Sequence, residues 1–275
     1  LVGAVAFRKA LDLYFERHDG QACTIEDWIK VFEDTTDRDL SQFALWYTRS
    51  GTPRVKVSGD FDGGTYRLTL SQSMPDKSDT TPRHIPVAVG LLYPDGTEAE
   101  ATRILELTKT EQTFSFKGLQ MPPIASVLRG FSAPVVLDQK LENSLHAYLL
   151  AHDTDPFNRW QAGRDYALDI LADLPQSPAH VEREFVTAMA KTAKDANLAP
   201  AFRAIATSIP GIAEVAREIE SRGGIPDPIA IHNAREVLNL AIAQRMEADL
   251  PGLYADLATA GPYSPDAEAA GNITV

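Results

Sequence analysis

Several things that would fix the class of this chain are missing from it. It has one cysteine, Cys23, so no internal disulfide can form, and a reducing compartment, the cytoplasm, fits best. Cys23 stands just before an amphipathic stretch with no histidine placed to activate it, and reads as a spectator rather than a nucleophile. No apolar run approaches the roughly 20 residues of a membrane span. Leu1 to Ala6 is apolar, but neither a basic segment nor an initiating Met precedes it. The chain therefore reads as starting inside a longer protein rather than with a signal peptide. Positive charge is scarce: 26 basic against 38 acidic residues leave a formal net charge of −12. Nucleic acid is excluded as a partner, because phosphate backbones need clustered Lys and Arg, and anionic membranes are disfavoured for the same reason. The six histidines are His18, His84, His146, His152, His180 and His232. No two are four apart, the spacing at which one helix face offers two imidazoles to a zinc ion.

What is present is ordinary for a globular protein: 44% hydrophobic and 23% charged residues, enough to build cores. The fold class expected is α+β and multidomain, in three zones. Residues 1–52 form a short helical segment. Val5, Leu11 and Tyr14 mark a first helix ending near His18-Asp19-Gly20. Thr24 reads as an N-cap with Asp27 as a weaker capping-box partner, followed by the stripe Ile25, Trp28, Ile29 and Phe32. Asp39 caps a third helix carrying Leu40, Phe43 and Tyr47, which Gly51 and Pro53 stop. Three such helices have too little mass for a core of their own.

Residues 53–138 switch to period two: Val55 and Val57; Tyr66, Leu68 and Leu70; Val87, Val89 and Leu91; Phe114 and Phe116; then Ala125–Leu128 and Val135–Leu137. Turns at Asp62-Gly63-Gly64, Tyr93-Pro94-Asp95-Gly96 and Met121-Pro122-Pro123 separate them. Roughly seven short strands predict an immunoglobulin-like antiparallel β-sandwich, held without a disulfide by alternating inward side chains. Its loop Ser71–Pro82 is expected to be exposed and mobile. Residues 139–275 return to helix, as an antiparallel bundle or solenoid. Asp155-Pro156 and Asp227-Pro228 each place an N-cap before a proline at N1. Apolar stripes follow at Phe157, Trp160, Ile170, Leu171 and Leu174; at Val181, Phe185 and Met189; at Phe202, Ile205 and Ile209; and at Ile231, Leu238 and Ile242. Gly261 to Val275 carries no closing helix signal, so a solenoid would stop there without its terminal unit.

Residues that suggest chemistry have simpler readings. His152, Asp153 and Asp155 crowd together, but Phe157 stands where a calcium ligand is needed and the sharp-turn glycine is absent; capping by Asp155 accounts for the cluster. His146 and His152, six apart, splay onto different helix faces. Ser50-Gly51-Thr52-Pro53 is a helix stop with no lysine in phosphate-loop register. Arg17-His18-Asp19-Gly20 is a turn. Asn272-Ile273-Thr274 is a glycosylation triplet only in a secreted protein.

Longer stretches carry a resemblance. They are Phe7-Arg8-Lys9-Ala10, Leu13-Tyr14-Phe15-Glu16-Arg17-His18-Asp19-Gly20-Gln21-Ala22, Asp39-Leu40-Ser41-Gln42-Phe43 and Trp46-Tyr47-Thr48-Arg49-Ser50-Gly51-Thr52-Pro53. His84-Ile85-Pro86, Glu111-Gln112-Thr113-Phe114, Phe131-Ser132-Ala133-Pro134-Val135, Asp155-Pro156-Phe157-Asn158-Arg159-Trp160 and Asp227-Pro228 follow in order. Together they resemble bacterial aminopeptidase N, a gluzincin zinc metallopeptidase, most weakly between Pro175 and Arg222. The resemblance implies a four-part parent: an N-terminal β domain, a thermolysin-like catalytic domain, a small β-sandwich, and a helical domain closing over the active-site cavity. Such enzymes remove N-terminal residues from peptides with zinc held by His-Glu-x-x-His and a downstream Glu. Neither that motif nor the Gly-x-Met-Glu-Asn motif that grips the substrate amine occurs in this sequence.

No residue is therefore assigned a catalytic, cofactor-binding or metal-binding role. Zinc belongs to the parent enzyme, and none is expected in this segment. The chain is expected to supply the last catalytic-domain helices (1–52), the sandwich (53–138) and the first part of the helical domain (139–275). Its role is then to form and close the peptide chamber, with the rest of the parent and its peptide substrates as partners. Faces left uncovered in the isolated segment are expected to self-associate. The alternative is a stand-alone interaction module of sandwich plus solenoid, which a start codon immediately before Leu1 would favour. An unrelated enzyme with paired carboxylates has no supporting constellation.

Overall fold

The computed structural model describes residues 1–173, 183–257 and 265–266. The chain divides into two compact units, Leu1–Lys140 and Leu141–Val275. Leu174, His180, Val181 and Asn272 to Thr274 lie outside the described residues, as does nearly all of the stretch from Gly261.

The first unit opens with α1 (Gly3–His18), α2 (Ile25–Thr36) and α3 (Ser41–Thr48). Both halves of the capping box at α2 are made: Thr24 Oγ1 accepts the Asp27 N–H, and the Asp27 carboxylate accepts the Thr24 N–H. Asp27 is thus a full partner rather than a weak one. Asp39 accepts the Ser41 N–H at the start of α3. Ala10, Ile29, Val31, Phe32 and Leu40 form a small buried cluster. Three residues of the expected stripes stay outside it: Val5, Ile25 and Tyr47 are exposed. Val5 and Ile25 stand in the first turns of their helices, and Tyr47 in the last full turn of α3.

The sandwich follows as β1 (Arg54–Asp62), β2 (Thr65–Ser73), β3 (Ile85–Leu92), β4 (Glu98–Leu107), β5 (Glu111–Lys117), β6 (Ile124–Val127) and β7 (Val136–Asp138). One sheet has the order β5-β2-β1-β7, the other β4-β3-β6. Inward residues of both, among them Leu68, Leu70, Val87, Val89, Leu105 and Phe116, make one core. The sandwich is not wholly antiparallel as expected: β7 pairs with β1 in parallel. After β6 the chain turns through a 3-10 segment, Arg129–Phe131, and reaches the β1 edge running in the same direction, where Val136 N–H bonds Pro53 O.

The loop expected to start at Ser71 starts later, and it is tied down. Ser71 to Ser73 belong to β2, and Gln72 is buried. Gln72 accepts the Arg83 N–H and donates to the Arg83 and Lys109 carbonyls. Arg83, also buried, grips Asp79 at 2.6 Å and the Thr81 carbonyl at 2.7 Å. A polar side chain at an inward strand position is tolerated because every bond it offers is taken. Ser73, residues 75–78, Thr80 and Thr81 are exposed, as expected of this loop.

The second unit contains α4 (Asn143–His152), α5 (Pro156–Asp173), α6 (Arg183–Lys194), α7 (Pro200–Ala206), α8 (Ile212–Ser221), α9 (Pro228–Met246) and α10 (Leu250–Leu257). Its core joins Leu150, Tyr166, Leu171, Phe185, Met189, Val215, Ile231 and Leu238. Gly163 lets α4 and α5 approach, since a Cβ there would stand 2.8 Å from a Leu150 methyl. Both predicted caps are made: Asp155 accepts the Asn158 N–H, and Asp227 accepts the N–H groups of Ile229 and Ala230. Ile205, expected in a buried stripe, is exposed; α7 is only seven residues long and buries Arg203 and Ala206 instead.

Candidate functional site

The described histidines are scattered over both units. His18 lies at the end of α1 against Tyr14, and Arg17 beside it pairs with Asp34 at 2.6 Å. His84 is buried and meets Glu106 at 2.8 Å. His146 and His152 sit on α4, and His232 is exposed on α9. Among the described residues, no three His, Cys, Asp or Glu side chains are grouped to hold a metal ion. The donor set does not fit the zinc that the resemblance implies, and no catalytic step runs through it here. The Cys23 thiol is partly buried and faces the Gln21 carbonyl at 3.4 Å. Asp153 and Asp155 are spent on the turn into α5, where Asp153 accepts the Asp155 N–H.

The candidate functional feature of the first unit is a surface groove. Where α1–α3 meet the sandwich lies a groove of about 590 Å³, mostly apolar, lined by Phe7, Trp28, Phe32, Phe43, Trp46 and Tyr47, with Pro86 and Pro134 from the sandwich side. Polar bolts hold its walls in place. Arg38, Gln42 and Trp46 recur at four-residue steps. Gln42 Nε2 donates to the Pro82 and Thr108 carbonyls at 3.1 and 2.7 Å, and Trp46 Nε1 to the His84 carbonyl at 2.9 Å. Arg38 bonds Glu106 at 2.5 Å and also the Leu1 carbonyl at 2.9 Å. Burial pushes the Glu106 carboxyl up, but Arg38 and His84 outweigh it and hold it below its ordinary value. The helices are thus positioned by directional bonds, while their apolar groove is left without a covering element among the described residues.

In the second unit, charge concentrates where α5 meets α8. Asp169 pairs with Arg222, which also holds Glu218 at 2.8 Å, and Arg164 holds Glu214 at 2.6 Å. Asp165, within the same seam, is pushed up to about 6, first by burial and then by the Asp169 and Glu218 charges, against Gln161 and Arg164. His146 is held below its ordinary value by burial, and its Nδ1 has no hydrogen-bond partner among the described residues. None of these groups adjoins a nucleophile or an oxyanion-stabilising pair, so the seam reads as structural. Sequence reasoning missed it, as it missed the groove, because both arise from residues distant in the chain.

Known proteins are similar to this chain along nearly its whole length. Residues 51–140 match a family model described as a domain of unknown function with an Ig-like fold, and residues 143–272 match one described as a domain of unknown function made of ARM repeats. Aminopeptidase N of Caulobacter vibrioides is 39% identical, over 98% of this chain and 32% of the relative. Aminopeptidase N of Escherichia coli is 33% identical, over 92% of this chain and 31% of the relative. The crystal structure of Legionella pneumophila aminopeptidase A in complex with aspartic acid superposes with a TM-score of 0.85 at 25% identity, over 99% of this chain and 32% of that one. The chain spans about a third of the length of these relatives. By sequence and by fold, nearly the whole chain is similar to one third of bacterial aminopeptidase N.

Proposed function

We propose that this chain is the non-catalytic segment of a zinc-dependent aminopeptidase that removes N-terminal residues from peptides, and that it helps form and close the active-site chamber. In this reading, residues 1–52 are the last helices of the catalytic domain, 53–138 the sandwich, and 139–275 the first part of the helical domain. No residue of the segment is catalytic or ligates the zinc. The observation that carries the reading is the apolar groove on α1–α3: six aromatic side chains around about 590 Å³ suit cover by further protein. The upstream part of the parent is the cover we assign to it. The segment works in the cytoplasm, in keeping with its single free cysteine, and needs neither nucleic acid nor membrane. No helix among the described residues is long and apolar enough to cross a membrane.

Two measurements test this. The purified chain is expected to release no chromophore from an aminoacyl chromogenic substrate and to carry no stoichiometric zinc; turnover with one zinc per chain ends the proposal. The reading frame upstream of Leu1 is expected to continue through a His-Glu-x-x-His helix. Supplied in trans, the chain is expected to raise the activity of that upstream part, expressed without it.

A further inference from the structure

We propose that the groove between α4 and α6 is a binding site for a small organic oxyanion, a carboxylate or a phosphate. The groove measures about 410 Å³, within the range of roughly 300–1,000 Å³ typical of small-molecule sites. One wall is the α6 face that carries Arg183, Thr187 and Lys191 at four-residue steps; the other is the α4 face with Ser144, Tyr148 and His152. Ala147, Ala151 and Ala188 lie between them, so no bulky side chain fills the space.

Charge argues for an anion. Residues 139–275 carry 11 basic and 19 acidic side chains, and four of the cations face carboxylates of this unit. Arg159 faces Asp195, Arg164 faces Glu214, Lys194 faces Asp249 and Arg222 faces Asp169. Arg183 and Lys191 pair with no carboxylate among the described residues, although Glu184 also lines the groove. Lys191 instead turns its ammonium onto the His152 ring, 2.8 Å from Nε2, and Tyr148 stacks on that ring at 4.9 Å and 10°. The imidazole is held in place, and the lysine keeps two of its three donors for a ligand. Arg183 adds a guanidinium fork suited to two oxygens of one carboxylate or phosphate. Eight residues of helix separate Arg183 from Lys191, about 12 Å, a gap that two long side chains can close around one oxyanion. The alanines and the Tyr148 ring then receive the organic portion.

The test uses the intact chain alone, so its outcome is independent of whether the chain is part of a peptidase. The probes are inorganic phosphate, N-acetyl-dialanine, and the C-terminal amide of that dipeptide, titrated by calorimetry and by the His152 ring resonances. Saturable binding of the acid or of phosphate, with the amide at least tenfold weaker than the acid if the acid binds, is the expected result. Which of the two binds more tightly identifies the source of the oxyanion. Arg183→Ala and Lys191→Ala, both at exposed positions, are each expected to weaken binding roughly fivefold. Arg245→Ala, exposed on α9, is expected to leave it unchanged. The proposal is overturned if neither probe saturates and the His152 resonances stay fixed. It is also overturned if the Arg183→Ala/Lys191→Ala double variant, with an unaltered melting temperature, binds as tightly as the parent chain.

Discussion

Arg159 joins three helices with one side chain. Its Nε donates to the Leu150 carbonyl at 2.7 Å, and its Nη2 to the Ala151 carbonyl and to Asp195, both at 3.2 Å. It thus caps the C-terminal turn of α4 from α5, where carbonyls lack helical partners and a positive charge is favoured. Thr192 supports the same Leu150 carbonyl at 2.9 Å. Because Arg159 is buried, its loss removes three bonds at once, although the Leu150 carbonyl keeps Thr192 and Asp195 keeps Asn197. Arg159→Ala should destabilise the second unit by about 3 kcal/mol in denaturant titration. Arg159→Lys should recover only part of that, since an ammonium cannot reproduce the fork. Asp165 works the other way. Its carboxyl titrates at about 6 in the folded chain against an ordinary 3.8, so the folded state holds the proton more tightly than the unfolded one. Stability of the second unit therefore falls as pH rises from about 4 through about 6 and stays lower above that. Asp165→Asn should stabilise the second unit at pH 8 by on the order of 1–2 kcal/mol, read as a higher melting temperature, and the gain should vanish near pH 4. A lower melting temperature for Asp165→Asn at pH 8 would show that the charged carboxylate is stabilising.

At the scale of elements, local signals were legible and long-range ones were not. Thr24 with Asp27, Asp155 and Asp227 announce helix starts because a cap is a bond between near neighbours in sequence, and the structure makes all of them. Asp227 satisfies two orphan N–H groups at once, at 2.9 and 3.3 Å. Asp227→Ala is expected to cost about 1 kcal/mol, read as a lower denaturation midpoint, and Asp227→Ser to restore most of it. Period-two alternation located β1, β2, β3 and β5, since Leu68 and Leu70 must face one way and their neighbours the other, but it marked no run for β4 (Glu98–Leu107). It could not give the direction of β7, because a three-residue strand has no pattern of its own and its partner is chosen by where the chain re-enters. Nor could it foresee Gln72 at an inward position: the groups that satisfy it, Arg83 and Lys109, lie 11 and 37 residues away. The same reason hid both grooves. Trp28 reads as a core residue from its spacing, and only the arrangement of three helices against Pro86 and Pro134 leaves it, with Trp46, facing an open cleft. The resemblance, by contrast, was carried by strings such as Asp155 to Trp160, whose physical content is now visible as a cap, a proline at N1 and the Arg159 clamp.

For the whole chain, two long-range terms oppose each other. The net charge of −12 repels a second copy, while the aromatic groove of the first unit, with Phe7 and Phe15 exposed nearby on α1, favours contact. On the second unit Ile229 and Leu240 of α9 and Tyr254 of α10 add exposed apolar surface. Repulsion between exposed charges is screened over about 8 Å at physiological ionic strength and over about 3 Å at 1 M. The apolar attraction is not weakened by such screening. Light scattering should therefore detect association that grows with protein concentration and grows further as sodium chloride is raised from low to molar levels. Phe7→Ser, which removes an exposed ring from the groove rim without touching the bonds of Arg38, Gln42 or Trp46, should reduce association at every salt concentration. If salt dissolves the oligomers instead, ionic pairing rather than the groove holds them. If the chain stays monomeric at high concentration in 1 M salt, the groove is too shallow or too well hydrated to bind protein, and its assignment as a face for the rest of an aminopeptidase loses its main physical support.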